Sequence, residues 1–283
     1  MALFATAFLL TVLALPPVRR AAVAVGAVDV PGDSRRMHHR PIPRMGGVGL
    51  ALGAAGAAAL LPEAIPLRLA APLLCGGLLS AALGMTDDIV SLSPWGKLCG
   101  QACIALLPGA FGLAPVLPGG KVAGAAFSFA LTLLLMNAVN LIDGLDGLAA
   151  GCVLLSGAAL ALARGNAPAA LLCGGCLGFL PCNLPPARLF LGDAGSLFLG
   201  YGLAVALLGE PVFSPALLLF AAYPLTDLFF AFFRRALAGQ NPFAADAHHL
   251  HHRLAAVTSP RRAALLLCCL QGACALCGML LLR

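Results

Sequence analysis

Charge is scarce in this chain. Acidic and basic residues together make up 10% of its 283 positions, against 61% hydrophobic residues, a balance that excludes an ordinary soluble domain. No stretch is left over for a separate soluble domain either. Apolar runs of about 20 residues, long enough to cross a ~30 Å hydrocarbon core as helices, follow one another along the sequence. Ten are read, at 1–18, 45–61, 66–85, 98–116, 122–139, 146–163, 167–183, 196–209, 211–233 and 263–282. The expectation is an all-α integral membrane protein, with residues 1–283 forming one polytopic bundle of about ten transmembrane helices.

Nothing basic precedes the first run, which argues against a signal peptide, whereas Arg19 and Arg20 follow it. That run is expected to remain as a span with its N-terminus outside. Alternating from there, the cytoplasmic loops hold thirteen of the seventeen Lys and Arg, among them Arg35, Arg36, Arg40, Arg44, Lys97, Arg188, Arg234, Arg253 and Arg262. The net charge of +6 is then mostly a topology signal, and no nucleic-acid partner is needed to explain it. The eleven cysteines all lie in or at the edge of apolar runs, where Cys behaves as a small hydrophobe. Cys173-Gly-Gly-Cys176 has redox-motif spacing but sits inside an expected span, without a soluble βαβ context.

Chemistry is concentrated in residues 137–151, N-A-V-N-L-I-D-G-L-D-G-L-A-A-G. Asn137, Asn140, Asp143 and Asp146 recur at a spacing of three, which drifts by about 60° per step on a regular helix. All four share one face only if the helix bends or opens, and Gly144 and Gly147 stand where it could. Acids at a membrane boundary beside such glycines form a candidate site.

Four further stretches add to it. Asp87-Asp88 follows the third run, with Lys97 opening the fourth; adjacent carboxylates favour each other's protonation unless a cation compensates. Asp193 lies between Gly192 and Gly195 as the eighth run begins, where free N–H groups attract anions and a carboxylate could hold Mg²⁺ against them. The loop ending in Pro41-Ile42-Pro43-Arg44-Met45-Gly46-Gly47 places basic residues beside flexible backbone, a combination suited to a lipid headgroup or a diphosphate. The longest loop carries four histidines, His248, His249, His251 and His252, followed by Arg253. With no Cys or Glu nearby, donors aimed at a phosphate or sugar suit them better than a zinc site. Asp227, inside the ninth run, reads as an intramembrane polar contact.

All these stretches fall on the expected cytoplasmic face, and the only outer acids are Glu63 and Glu210. Carboxylates, a lysine, histidines and glycines at membrane depth suit a Mg²⁺-dependent reaction of phosphates. The two substrates would be a soluble nucleotide and a membrane lipid.

Asp87-Asp88 with Lys97-Leu98-Cys99-Gly100-Gln101, residues 137–149, residues 190–196 and His249-Leu250-His251-His252-Arg253 together resemble the polyprenyl-phosphate N-acetylhexosamine-1-phosphate transferase family. The resemblance runs from about residue 30 to residue 255. It implies a bacterial cytoplasmic-membrane enzyme, with its site facing the cytoplasm, that moves a sugar-1-phosphate from a UDP-sugar to undecaprenyl phosphate, with Mg²⁺ as cofactor and UMP as product. Asp193 then resembles the Mg²⁺ ligand, and Asp87 the residue that deprotonates the lipid phosphate, with Asp88 beside it and Lys97 steadying phosphate oxygens. Asn137, Asn140, Asp143 and Asp146 would line the nucleotide pocket, and Phe190 would stack on uracil. The histidine motif, with His249, His251, His252 and Arg253 contacting substrate, looks like the N-acetylglucosamine branch more than the muramoyl-pentapeptide branch. A homodimer is compatible with this family. The readings from other classes are a CDP-alcohol phosphotransferase and a membrane transporter.

Overall fold

The computed structural model describes residues 1–30, 40–241 and 249–282. Arg35, Arg36, His38 and His39 of the first basic loop, and His248 with the rest of residues 242–248, lie outside the described residues. The chain is almost wholly helical: α1 Ala2–Ala24, α2 Gly46–Leu60, α3 Leu67–Val90, α4 Pro94–Ala105, α5 Leu107–Ala110, α6 Gly120–Ile142, α7 Leu148–Arg164, α8 Ala167–Asn183, α9 Gly192–Leu208, α10 Ala222–Leu237, α11 Leu250–Val257 and α12 Pro260–Leu281. The exception to the all-α expectation is a pair of two-residue strands, β1 Val28–Asp29 and β2 Ile42–Pro43, joined antiparallel. Among the described residues, five helical segments are long and apolar enough to cross a membrane: α1, α3, α6, α12, and α10 together with the 3₁₀ turn before it. Four shorter apolar helices, α2, α7, α8 and α9, pack among them.

Helix α9 is the axis of the bundle. It is apolar all round, so it is stable only when covered on every side, and every residue from Gly192 to Leu208 except Asp193 is buried. Helices α2, α3, α6, α7 and α8 pack around it. Small residues allow the close approach: a Cβ on Gly84 of α3 would strike the carbonyl of Asp193, and one on Gly47 of α2 would strike the backbone of Gly195. The start of α9 is thereby pressed between two neighbouring helices.

Two expected spans differ from what forms. The third was read as ending at residue 85, because hydropathy falls there. Helix α3 instead runs on through Asp87 and Asp88 and stops only at Ser91, which takes a left-handed conformation with φ 54°. Hydropathy marks where apolar sequence ends, not where backbone hydrogen bonding ends. The fourth, read as one run over 98–116, is divided into α4 and α5 at Leu106, because Pro108 supplies no N–H to continue the ladder.

The ninth span opens as a 3₁₀ turn, Pro215–Ala221, before α10. The change of helix type frees backbone groups that a bilayer cannot hydrate. Gln271 of α12, fully buried, answers them. Its Oε1 accepts the Tyr223 N–H at 2.8 Å, and its Nε2 donates to the Leu219 carbonyl at 3.2 Å and to Ser156 Oγ at 3.0 Å. Gln271→Leu keeps the volume but leaves the Tyr223 N–H without its acceptor, at a cost of about 2 kcal/mol, whereas the Leu219 carbonyl keeps the Ala222 N–H and Ser156 keeps the Cys152 carbonyl. The melting temperature of the purified protein in detergent is expected to fall by several degrees; an unchanged value would show that the break needs no side-chain support.

Candidate active site

Four helices bring their polar residues together at the N-terminal end of α9. Lys97 sits in the first turn of α4, whose start is fixed by Ser93 Oγ accepting the Gly96 N–H at 3.1 Å. Its ammonium donates to Asp87 Oδ2 of α3 at 3.0 Å and also to Asp193 Oδ2 of α9. Asn140 of α6 donates to Asp193 Oδ1 at 2.8 Å and to Ser196 Oγ at 2.9 Å. Burial alone would lower the Lys97 amine, but the carboxylates of Asp193 and Asp87 outweigh it and hold it above its ordinary range.

Asp88 does something the sequence did not suggest. Its two oxygens accept the N–H groups of Asp193 and Ala194, each at 3.1 Å. Those are free donors of the first turn of α9, so Asp88 serves as a cap supplied by another helix. Asp87 Oδ1 meanwhile accepts the Leu92 N–H at 2.6 Å and fixes the end of α3.

The doubled Asp-Gly stretch opens where its glycines allow. Helix α6 ends at Ile142, residues 143–147 form a turn, and Gly147 takes φ +77° before α7 begins. That turn is tied to the α8–α9 connection: Asp146 Oδ2 accepts the Ala187 N–H at 3.0 Å, and Asn183 Oδ1 accepts the Gly147 N–H at 3.0 Å. Phe190 is held on both sides, its N–H donating to the Pro43 carbonyl and its carbonyl accepting the Gly46 N–H.

Between these loops lies a cavity of about 380 Å³, within the usual range for a small-molecule site. Its lining includes Asp88, Asp143, Asp146, Phe190 and Asp193. Asp143 is half-buried, and its carboxylate meets no hydrogen-bond donor among the described residues. Burial, and then the charges of Asp193, Asp88 and Asp146, push its carboxyl well above the usual carboxylate range. A cation placed here would reverse that push. The donors are all oxygens, which suits a hard divalent ion, with Asp193 and Asp143 the residues to hold it. Among the described residues, no three acidic, histidine or cysteine groups already converge as ligands.

Other expected site residues stand apart from the cavity lining. Asn137 turns back along its own helix and donates to the Leu133 carbonyl at 2.8 Å. Asp87, Lys97 and Asn140 meet the cavity through Asp193. The histidine motif packs against the turn rather than lining the cavity. Asp227, fully buried in α10, organises it by accepting from His249 Nδ1 at 2.8 Å and from the Leu250 N–H at 2.7 Å. His251 is fully buried with both ring nitrogens unpartnered, and a Cβ on Gly144 would collide with its Nε2. Burial, then the neighbouring His252, lowers it to about 3. At neutral pH this burial favours the neutral imidazole, which keeps one N–H to donate. Arg253 is exposed, with its guanidinium 5.6 Å from the ring centre of Phe230. Asn183 and Ser196 also belong to the site; the sequence signal for Ser196 is its place three residues after Asp193, on the same helix face.

These features define a multi-pass helical membrane protein with an acidic, lysine-bridged cavity at one end of its bundle, suited to cation-assisted chemistry on phosphates. Residues 70–209 match the family described as glycosyl transferase family 4. The chain is 34% identical to the decaprenyl-phosphate N-acetylglucosaminephosphotransferase of Mycolicibacterium smegmatis, over 93% of this chain and 77% of that one. It is 35% identical to the probable undecaprenyl-phosphate N-acetylglucosaminyl 1-phosphate transferase of Bacillus subtilis, over 93% and 80%. With the undecaprenyl-phosphate alpha-N-acetylglucosaminyl 1-phosphate transferase of Escherichia coli it shares 29%, over 94% and 79%. The chain belongs to glycosyl transferase family 4.

His251 also gives the fold a pH dependence. Its pKa in the folded protein lies below the unfolded value of about 6.5, so the stability it contributes is complete above that pH. It is lost progressively as the pH falls toward about 3. Thermal melts between pH 7 and pH 5 are expected to show a falling melting temperature in the wild type and a shallower fall in His251→Leu. Parallel curves would show that His251 is not the group responsible.

Proposed function

We propose that the protein transfers N-acetylglucosamine-1-phosphate from UDP-N-acetylglucosamine to a polyprenyl phosphate such as undecaprenyl phosphate, releasing UMP and starting a lipid-linked cell-envelope glycan. The observation that carries this reading is the Lys97 ammonium shared between Asp87 and Asp193 at the edge of an acidic cavity. The names of the relatives support the substrate pair.

In the reaction, an oxygen of the lipid phosphate attacks the sugar-bearing phosphorus of the donor. A new P–O bond forms there, and the bond from that phosphorus to the oxygen bridging the two phosphates breaks, so UMP leaves with that oxygen. Asp87 would take up a proton carried by the lipid phosphate, and Lys97 would steady phosphate oxygens during transfer. Mg²⁺ fits the all-oxygen donor set of Asp193 and Asp143 and, when bound, supplies charge neutralisation at the phosphates. Phe190 would stack on uracil, while Asp146 and Asn183 keep the loops of the pocket joined. Asp88 holds Asp193 in position, and Asp227 positions the histidine motif, whose His249, His252 and Arg253 would meet the donor sugar once it is bound. Asn137, bonded to its own helix, would join the pocket only after rotation of its side chain.

The finer architecture belongs to the same reading: one domain of about ten spans in the bacterial inner membrane, the cavity facing the cytoplasm where UDP-sugars are found, and a homodimer as a compatible assembly. Glu210, bound to Arg164 and Asn166, follows the opposite end of α9 from Asp193, a helix length of about 25 Å away. Acids grouped at one end fit interfacial chemistry better than transport through a mid-bilayer site.

Purified protein given UDP-N-acetylglucosamine, undecaprenyl phosphate and Mg²⁺ is expected to release UMP in step with lipid-linked sugar. Asp193→Asn should lower that rate by roughly 10²–10³-fold with little change in melting temperature. CMP release from a CDP-alcohol, or no lipid-linked product from any UDP-N-acetylhexosamine, would overturn the proposal.

A further inference from the structure

Arg44 lies just after β2, and its backbone is held from both sides. Its N–H donates to the Ala27 carbonyl at 3.0 Å, and its own carbonyl lies against Gly192, where a Cβ would collide with it. The flanking Pro43 and Gly46 are bonded to Phe190, at 2.8 and 2.9 Å. The first basic loop is thus fastened, at this residue, to the segment that leads into Asp193. Arg44 lines the same cavity as Asp29, Asp88, Asp143, Asp146 and Asp193, and it is the one cationic residue among the described lining residues.

The charge of Arg44 acts on Asp88, but no contact ion pair joins it to any of those carboxylates among the described residues. Its Nε is buried and has no hydrogen-bond partner. Arg44 as a whole is partly exposed, but an arginine that served only to orient the chain in the membrane would keep its entire guanidinium, Nε included, in water. A buried N–H left without an acceptor is costly. The guanidinium is a planar fork of donors matched to two oxygens of a phosphate. A phosphate entering a cavity lined by several carboxylates needs a fixed cation on its approach.

We propose that Arg44 binds a phosphate oxyanion of a substrate in this cavity, acting as a substrate-binding residue fixed in place by the β1–β2 hairpin. The proposal rests on the reading of the cavity as a site of phosphoryl transfer. The oxyanion has two sources, the diphosphate of the donor and the phosphate of the lipid, which share this chemistry.

The test uses the full-length protein in lipid nanodiscs as wild type, Arg44→Gln and Arg44→Lys. Calorimetric titrations give Kd for UDP-N-acetylglucosamine and for inorganic pyrophosphate, and a product assay gives KM for undecaprenyl phosphate at saturating donor. Arg44→Gln is expected to weaken one of these substrates by roughly tenfold to a hundredfold, with Arg44→Lys intermediate because it keeps the charge and loses the fork. A rise in the donor Kd alone assigns Arg44 to the diphosphate, and a rise in the acceptor KM alone assigns it to the lipid phosphate. The Lys variant decides the matter if the Gln variant does not fold. Donor Kd, pyrophosphate Kd and acceptor KM all unchanged within about twofold in both variants would overturn the proposal. If the wild type bound pyrophosphate in an Arg44-dependent way but no UDP-sugar, the anion site would stand and the transferase reading would fall. Binding of neither would remove both.

Discussion

The Asp88 carboxylate, from the last turn of α3, accepts two free N–H groups in the first turn of α9, those of Asp193 and Ala194, and the geometry of the site follows from that grip. Helix α9 is packed against neighbours along its length, and the free donors of its first turn need acceptors. A carboxyl group supplied from α3 answers two of them and at the same time fixes Asp193, the one residue of α9 that is not buried. The glycines at 47 and 84 let α2 and α3 come close enough for this. With Asp193 fixed, Lys97 and Asn140 reach it from α4 and α6, and Asp87 is carried along on the same turn of α3 as Asp88.

The arrangement accumulates negative charge. Lys97 compensates Asp87 and Asp193, but Asp143 faces Asp193, Asp88 and Asp146 without a donor of its own among the described residues. Like charges held together disfavour the folded protein until a cation or a cationic ligand joins them. Substrate phosphates bring further negative charge, so ion and substrate binding are linked through the same carboxylates. Polar side chains elsewhere in the bundle, such as Gln271 at the start of α10 and Asp227 under the histidine motif, answer particular backbone or imidazole groups and leave none of this imbalance.

Much of the fold was legible because a membrane helix announces itself by apolar length, and Gly144 and Gly147 marked where the 137–151 stretch could open. The polar groups at helix ends were less legible. Asp87 and Asp88 look like loop residues in sequence, since nothing local shows that α3 continues through them or that Asp88 points at another helix. Asn137 fits the pattern of Asn140, yet its amide turns back to its own helix. The charge state of His251 depends on burial against Gly144, which composition does not reveal. Arg44 belongs to a basic loop that topology alone would explain, and only its buried Nε sets it apart.

Thermal stability of Asp88 variants tests the central brace most directly, because a group that only touched substrate would leave the empty protein's melting temperature unchanged. Removing both charged acceptors in Asp88→Ala is expected to lower the melting temperature of the ligand-free protein by roughly 5 °C, with Asp88→Asn in between since it keeps one acceptor oxygen. Loss of activity in both variants with a melting temperature equal to that of the wild type would contradict the brace and place Asp88 among the groups that contact substrate or metal.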